Sequence, residues 1–223
     1  QGYITTSVTP VDQPLPQNAK LDLVPGSCHI VDFGMNRIGF IGATVTCTAP
    51  TRLFLTFDEV CVQNGTRAVT KSETNPVFGL NETRIDGDVQ VERMFCVNAV
   101  AYELPAGTFA LESSEPYALR YLKPFVLEGA CAIDNMYVRE YITPDVTEPM
   151  LTSSDSRLDR LFAAGVKTFK DNTVDLFMDC PSRERGPWLC DSFFTARACK
   201  DLTGHTLYEK NQFENYLLPE TFD

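Results

Sequence analysis

Ile41, Ala43, Val45 and Cys47 alternate with Phe40, Gly42, Thr44 and Thr46, and Leu53, Leu55 and Phe57 repeat the alternation a little further on. A two-residue period puts one face of a strand in a core and leaves the other wet. The Val, Ile, Phe and Thr content supports strands over residues 28–33, 40–47 and 52–57. Further runs of the same kind predict strands over 89–97, 108–112, 117–121, 125–128 and 136–141. Ala49-Pro50-Thr51, Pro105-Ala106-Gly107, Glu115-Pro116 and Glu128-Gly129 supply turns between them. Many short strands with a turn about every ten residues predict an antiparallel β-sandwich. Residues 1–27, punctuated by Pro10, Pro14, Pro16 and Pro25, read as an irregular lead-in with at most short extended pieces. Residues 62–88 are polar and dotted with glycine, and read as a long loop crossing one face of the sheet.

The period changes near residues 144–149. Ser153-Ser154-Asp155 offers an N-cap, and Leu158, Leu161, Phe162, Val166 and Phe169 follow at helical spacing. A second helix fits residues 192–202, with Gly204 as its stop, and a third fits 206–217, ended by Pro219. The chain thus divides into the lead-in 1–27, a β domain over 28–148 and a helical part over 149–223. Three helices hold too few apolar positions to close a core alone. They are expected to lean on the β domain or on helices outside this chain.

Charge narrows the partners. Asp and Glu total 30 against 19 Lys and Arg, a net charge of -11, which argues against a nucleic-acid binder. No apolar run approaches the roughly 18 residues of a membrane helix. A neutral ligand such as a sugar stays open. The first residue is Gln, which is consistent with a removed signal peptide or with a piece of a longer protein; a periplasmic or extracellular location is favoured over a cytoplasmic one.

The eight cysteines are widely spread without a CxxC pair, and only His29 and His205 could join them. A structural zinc site shows closer ligand pairs, so no metal is expected and the thiols read as mostly reduced and buried. The sequons at Asn64 and Asn81 are short enough to arise by chance. No phosphate-binding glycine loop occurs; Gly34 and Gly39 read as strand or turn glycines.

Chemistry concentrates between the first two helices, in Asp179-Cys180-Pro181-Ser182-Arg183-Glu184-Arg185-Gly186-Pro187-Trp188-Leu189-Cys190-Asp191. Three carboxylates, two arginines and the only Trp lie within 13 residues. Pro181, Gly186 and Pro187 interrupt any helix, so this is a loop. An ion-paired surface loop with Trp188 as a plug would account for it. So would a glycosidase, in which one carboxylic acid protonates the leaving oxygen and another activates water or attacks carbon, while an aromatic face packs on the sugar. Ser182, Ser192 and Cys190 would be nucleophiles only beside a base, and His205, next to a helix stop, reads as a cap rather than part of a dyad.

The run DCPSRERGPWLCD resembles the signature of glycoside hydrolase family 78, the bacterial α-L-rhamnosidases, which read approximately DCPSRERAGWLCD there. Ser154-Asp155 with Thr168 and Asn172 resembles the first helix of that family's barrel, and Asn215-Tyr216-Leu217-Leu218-Pro219-Glu220 its next stretch. Asp32-Phe33-Gly34, Gly39-Phe40, Phe57-Asp58-Glu59 and Arg120-Tyr121 resemble the β-sandwich ahead of the barrel. The resemblance implies a mainly β plus α chain: a β-sandwich followed by the first helices of an (α/α)6 barrel. It implies inverting hydrolysis of terminal α-L-rhamnosides, without a cofactor. By position Glu184 matches the general acid, Asp179 and Asp191 match carboxylates that bind the sugar, and Arg183 and Trp188 shape the pocket. This chain departs at Gly186-Pro187, where the family has a small residue and then Gly.

A general acid must hold its proton near neutral pH, yet Glu184 lies between two cations. The expectation is that the arginines pair elsewhere, with Asp179 or Asp191. An inverting enzyme also needs a second carboxylate, and in the family it comes from much further along the barrel. Asp175, Glu209, Glu214 and Glu220 read as surface acids. The chain alone is therefore expected to be inactive. The rival reading is a carbohydrate-binding or interaction module that does not cleave.

Overall fold

The computed structural model describes residues 15–27, 29–61, 73–74, 81–82, 92–93, 96–146 and 151–218. The expected crossing loop at 62–88 lies largely outside the described residues, as do Cys28, Asn64, Pro219 and Glu220. The chain divides into two compact units, Gln1–Glu140 and Tyr141–Asp223.

The first unit is an antiparallel sheet of eight strands with one short parallel pairing. Its strands are β1 (Leu15–Pro16), β2 (Leu21–Leu23), β3 (Val31–Cys47), β4 (Thr51–Asp58), β9 (Ala99–Leu104), β10 (Gly107–Glu112), β11 (Tyr117–Glu128) and β12 (Cys131–Glu140). Between β4 and β9 lie two two-residue ladders, β5 (Glu73–Thr74) with β6 (Asn81–Glu82) and β7 (Glu92–Arg93) with β8 (Cys96–Val97). The main path runs β2-β12-β3-β11-β4-β9.

Two pairs of expected strands are single strands. The described part of the first expected strand, from Val31, and the expected strand 40–47 join in β3, because Gly34 (φ 81°) lets the chain bulge without leaving the sheet while Asp32 Oδ1 accepts its N–H at 2.7 Å. The 17-residue β3 then changes partner: its first half pairs with β11 and its second half with β10, while β12 follows residues 39–47. Residues 117–121 and 125–128 join in β11, through Pro124. Pro124 lacks an N–H, and it is tolerated because β11 pairs with β3 only as far as Leu122. β9 was not among the expected strands, although Val100, Tyr102 and Leu104 carry a two-residue period and pack on the core.

The expected alternation is met. Ile41, Ala43, Val45 and Cys47 are buried, as are Leu53, Leu55 and Phe57. They join Leu21, Leu23, Leu119, Leu122, Val126 and Ile133 in one core. Burying each large side chain contributes about 2 kcal/mol. Where the β3–β11 register slips, Arg120 meets Asp32 with two hydrogen bonds, Nε to Oδ1 at 2.8 Å and Nη2 to Oδ2 at 2.9 Å. The arginine's hydrogen bond holds the Asp32 carboxyl below its usual value. A depressed carboxyl stabilises the fold above the unfolded-state value, and that contribution is lost as pH falls through the folded-state value.

The second unit holds α1 (Ser156–Asp171), α2 (Leu189–Thr203) and α3 (Leu207–Tyr216). Asp155 caps α1, accepting the Arg157 N–H at 2.9 Å. Helix α2 begins three residues earlier than the sequence pattern suggests, so Cys190 and Asp191 sit in its first turn, where an acid favours the helix dipole. Gly204 ends it in the left-handed conformation (φ 76°), and its N–H bonds Lys200 O. Residues 141–146 pack with this unit: Thr143 N–H bonds Thr173 O at 3.0 Å, and Val146 is buried with Val166, Phe169, Phe177, Cys199 and Tyr208. This core is small. Leu158 and Leu161, at the head of the apolar stripe of α1, are exposed, as are Leu189, Phe193, Phe194, Leu207 and Phe213. No described helix is long and apolar enough to cross a membrane.

The expectation for the thiols is met in part: among the described residues six cysteines form no disulfide, of which Cys47, Cys131 and Cys199 are buried and Cys190 is exposed. Burial, with Cys47 beside it, pushes the Cys131 thiol up to about 12. Only the thiolate attacks an alkylating agent. Iodoacetamide at pH 8 is therefore expected to label Cys190 fast and the three buried thiols only on unfolding, as read by peptide mass mapping. Labelling of Cys131 as fast as Cys190 would contradict this burial.

Candidate functional site

Between α1 and α2 the chain makes an excursion whose shape follows from its own residues. Asn172 ends α1, and its carbonyl accepts the Met178 N–H at 2.8 Å. Residues 181–184 form a turn. Asp179 then closes the loop on Gly186 twice: its N–H bonds Gly186 O at 3.0 Å, and its Oδ1 accepts the Gly186 N–H at 2.7 Å. Arg185 takes the left-handed conformation (φ 53°) to make that return, and its Nε reaches Pro181 O at 3.3 Å. The Cys180 thiol lies inside the ring, 3.1 Å from Asp179 Oδ2.

The Trp188 indole lies against Gly186. A Cβ there would meet Trp188 Nε1 at 2.6 Å and Cε2 at 2.8 Å, inside any tolerated contact. Gly186 and Pro187 therefore work as a pair: Pro187 narrows the path into α2, and Gly186 leaves room for the ring.

This placement brings Trp188 to Glu184. The indole Nε1–H donates to Glu184 Oε2 at 3.0 Å, and Arg183 Nη2 lies 2.5 Å from Glu184 Oε1. Each carboxylate oxygen thus has its own donor. The expectation that the arginines pair with Asp179 or Asp191 fails for Arg183, because the turn puts adjacent side chains 183 and 184 together while Gly186 takes Asp179. The Glu184 side chain is 25% exposed, and Trp188 is 52% exposed. Asp191 is exposed, and none of the hydrogen bonds or ion pairs among the described residues involves its carboxylate. Glu184, Trp188, Arg183 and Asp179 are thus gathered in one loop, with Asp191 beside it on α2.

A residue that the sequence pattern did not single out holds the base of the loop. Gln212 on α3 is 3% exposed. Its Oε1 accepts the Phe177 N–H at 3.1 Å, and its Nε2 donates to Pro187 O at 3.2 Å and Ser192 Oγ at 2.6 Å. Tyr216 Oη donates to the same Pro187 O at 2.6 Å. The signal was a weak one: Tyr208, Gln212 and Tyr216 recur every four residues on a helix without an apolar stripe.

Of the other candidates, Ser192 and His205 have structural work. Ser192 is buried against Gln212. His205 Nδ1 accepts the N–H of Leu207, the first residue of α3, at 3.3 Å, so it caps as expected. Its Nε2 lies 3.4 Å from Asp145 Oδ2, which also accepts from Tyr208 Oη. Cys190 is exposed in the first turn of α2. Asp175 and Glu214 are at the surface, the latter paired with Lys210 at 3.6 Å.

Residues 148–216 match the family model of the bacterial alpha-L-rhamnosidase six-hairpin glycosidase domain. The helical unit is thus similar in sequence to that domain, as its loop implied. Solved structures agree in fold. A rhamnosidase from Klebsiella oxytoca with rhamnose bound aligns with 86% of this chain (TM-score 0.62, 19% identity). The family 78 rhamnosidase of Bacillus sp. GL1 aligns with 91% (TM-score 0.63, 22% identity), and the alpha-L-rhamnosidase from Dictyoglumus thermophilum with 92% (TM-score 0.57, 12% identity). The chain spans only 36%, 18% and 22% of those three proteins. Among curated proteins none matches.

Trp188 is the only tryptophan, so its emission reports on this loop. Gly186→Ala must displace the ring and break its bond to Glu184. The expected result is a shifted emission maximum and altered acrylamide quenching, with unchanged far-ultraviolet circular dichroism. Emission identical to that of the parent chain would contradict the placement of the ring on Gly186.

Proposed function

We propose that the protein carrying this chain is an inverting α-L-rhamnosidase in which Glu184 is the general acid. The observation that carries this reading is the pairing of Glu184 with Trp188 inside a loop whose segment matches the rhamnosidase domain model. On this reading the β unit closes as the sandwich ahead of the catalytic domain, and α1–α3 are the first helices of an (α/α)6 barrel. Rhamnose, the sugar bound in the Klebsiella oxytoca neighbour, is the glycone.

On this reading each atom of the loop has a task. The indole N–H needs a lone pair, so Glu184 Oε2 serves as the acceptor and the transferable proton belongs on Oε1. Oε1 is the oxygen that Arg183 occupies. Arg183 must therefore release Oε1 before the acid is armed, and a hydroxyl or ring oxygen of the sugar is a suitable new acceptor for it. Glu184 then protonates the departing glycosidic oxygen, while a water on the opposite face attacks the anomeric carbon. That water is activated by a carboxylate roughly 6.5–9.5 Å away, supplied from outside α1–α3. Asp191, exposed beside the loop, and the free face of Trp188 are the groups best placed to bind the ring. Asp179 contributes chiefly by holding the loop, with Oδ2 as its remaining oxygen for the sugar.

Glu184→Gln in the full-length protein tests the reading. General-acid catalysis is worth ~10²–10⁴ in rate, so a loss of about a hundredfold or more is expected, with rhamnose affinity retained in calorimetry. An unchanged rate would favour a module that holds carbohydrate without cleaving it. Residues 1–223 alone should not turn over an aryl α-L-rhamnoside, since they lack the base; measurable hydrolysis would overturn that.

A further inference from the structure

Gln212 occupies a position that chemistry alone would give to Leu or Met. It is one of two buried residues on α3, and it faces Phe177, which is 1% exposed. A buried amide is costly unless its polar atoms are satisfied. Here the oxygen and both hydrogens of the amide can be matched to partners. None of those partners lies on α3. Phe177 is on the leg that enters the acid loop, and Pro187 and Ser192 are on the leg that leaves it. One side chain therefore ties together two points ten residues apart, with Glu184 between them.

The Pro187 carbonyl is the second half of the device. Proline has no N–H, so its carbonyl is its only backbone hydrogen-bonding group. That carbonyl takes two donors, Gln212 Nε2 and Tyr216 Oη. This fixes the Pro187–Trp188 peptide, hence the root of the indole, and the indole in turn holds Glu184 Oε2. The chain of contacts runs Gln212, Pro187, Trp188, Glu184, each step a hydrogen bond or a covalent bond.

We propose that Gln212, assisted by Tyr216, is a positioning residue for the general acid: it sets the placement of the Glu184 carboxyl by pinning both legs of the 179–188 loop to α3. The proposal rests on the reading of Glu184 as the acid. It does not require Gln212 to touch the sugar.

A positioning role leaves a signature that a merely structural role does not. Proton donation matters when the leaving oxygen is basic and hardly matters when it is a dinitrophenolate. The experiment is therefore kcat for benzyl and for 2,4-dinitrophenyl α-L-rhamnoside, in the full-length protein, for Gln212→Leu, Tyr216→Phe and Glu184→Gln. Misplacement of a reacting group by about 1 Å costs up to ~10²-fold. Gln212→Leu is expected to lower kcat on the benzyl substrate by about tenfold or more and to leave the dinitrophenyl rate within about twofold. Tyr216→Phe, which removes one donor from Pro187 and leaves the core filled, should show the same selectivity at about two- to fivefold. It keeps the test open if Gln212→Leu does not fold. If Glu184→Gln is selective for the benzyl substrate but the foldable clamp variants slow both substrates equally, or neither, the positioning role is overturned while the acid survives. If Glu184→Gln slows both equally, the acid reading fails, and this proposal with it.

Discussion

The helical unit depends on how one excursion of the chain is closed. Between Asp171 and Leu189 the backbone leaves one helix, turns and begins another, and prolines at 181 and 187 remove two of the N–H groups that could have stitched it. What remains is concentrated. Asp179 and Gly186 exchange two hydrogen bonds across the neck, and one buried amide, that of Gln212, holds both legs. A loop closed at the neck can carry charged side chains at its tip without collapsing onto them.

The loop differs in detail from the family signature it resembles. Ala followed by Gly would put the flexible residue immediately before the tryptophan. Gly followed by Pro puts the flexibility one residue earlier and stiffens the approach. The indole then rests on residue 186, where only a hydrogen fits, and its N–H reaches Glu184. Arg183, the neighbour of Glu184 on a tight turn, meets the carboxylate oxygen that the indole leaves open.

The β unit was largely legible, because burial on a sheet imposes a period of two and the apolar positions of β3, β4, β10 and β12 keep it. The misreadings were of continuity. Gly34 and Pro124 look like ends of strands in a sequence, but a bulge absorbs the first, and the second lies beyond the stretch where β11 pairs with β3. β9 keeps the period, but Ala99 and Ala101 at its alternate positions give it only a weak strand signal. In the helical unit the three helices and the caps at Asp155 and Gly204 were readable from local chemistry. Only the first-turn position of Asp191 was not, since Trp188 starts α2 without a capping side chain.

Local rules therefore carried the elements, their polarity of burial and the identity of the chemical loop, since each depends on neighbours within about four residues. Sequence alone also exposed the acid's difficulty, a carboxylate flanked by two cations. Only the tertiary structure decided which cation meets it, that Trp188 fixes one of its oxygens, and that Gln212, 28 residues away on another helix, anchors the loop. Such contacts join residues that share no periodicity. They are set by the path of the backbone through a crowded turn, and hydrogen-bond satisfaction selects among those paths only once the chain is folded.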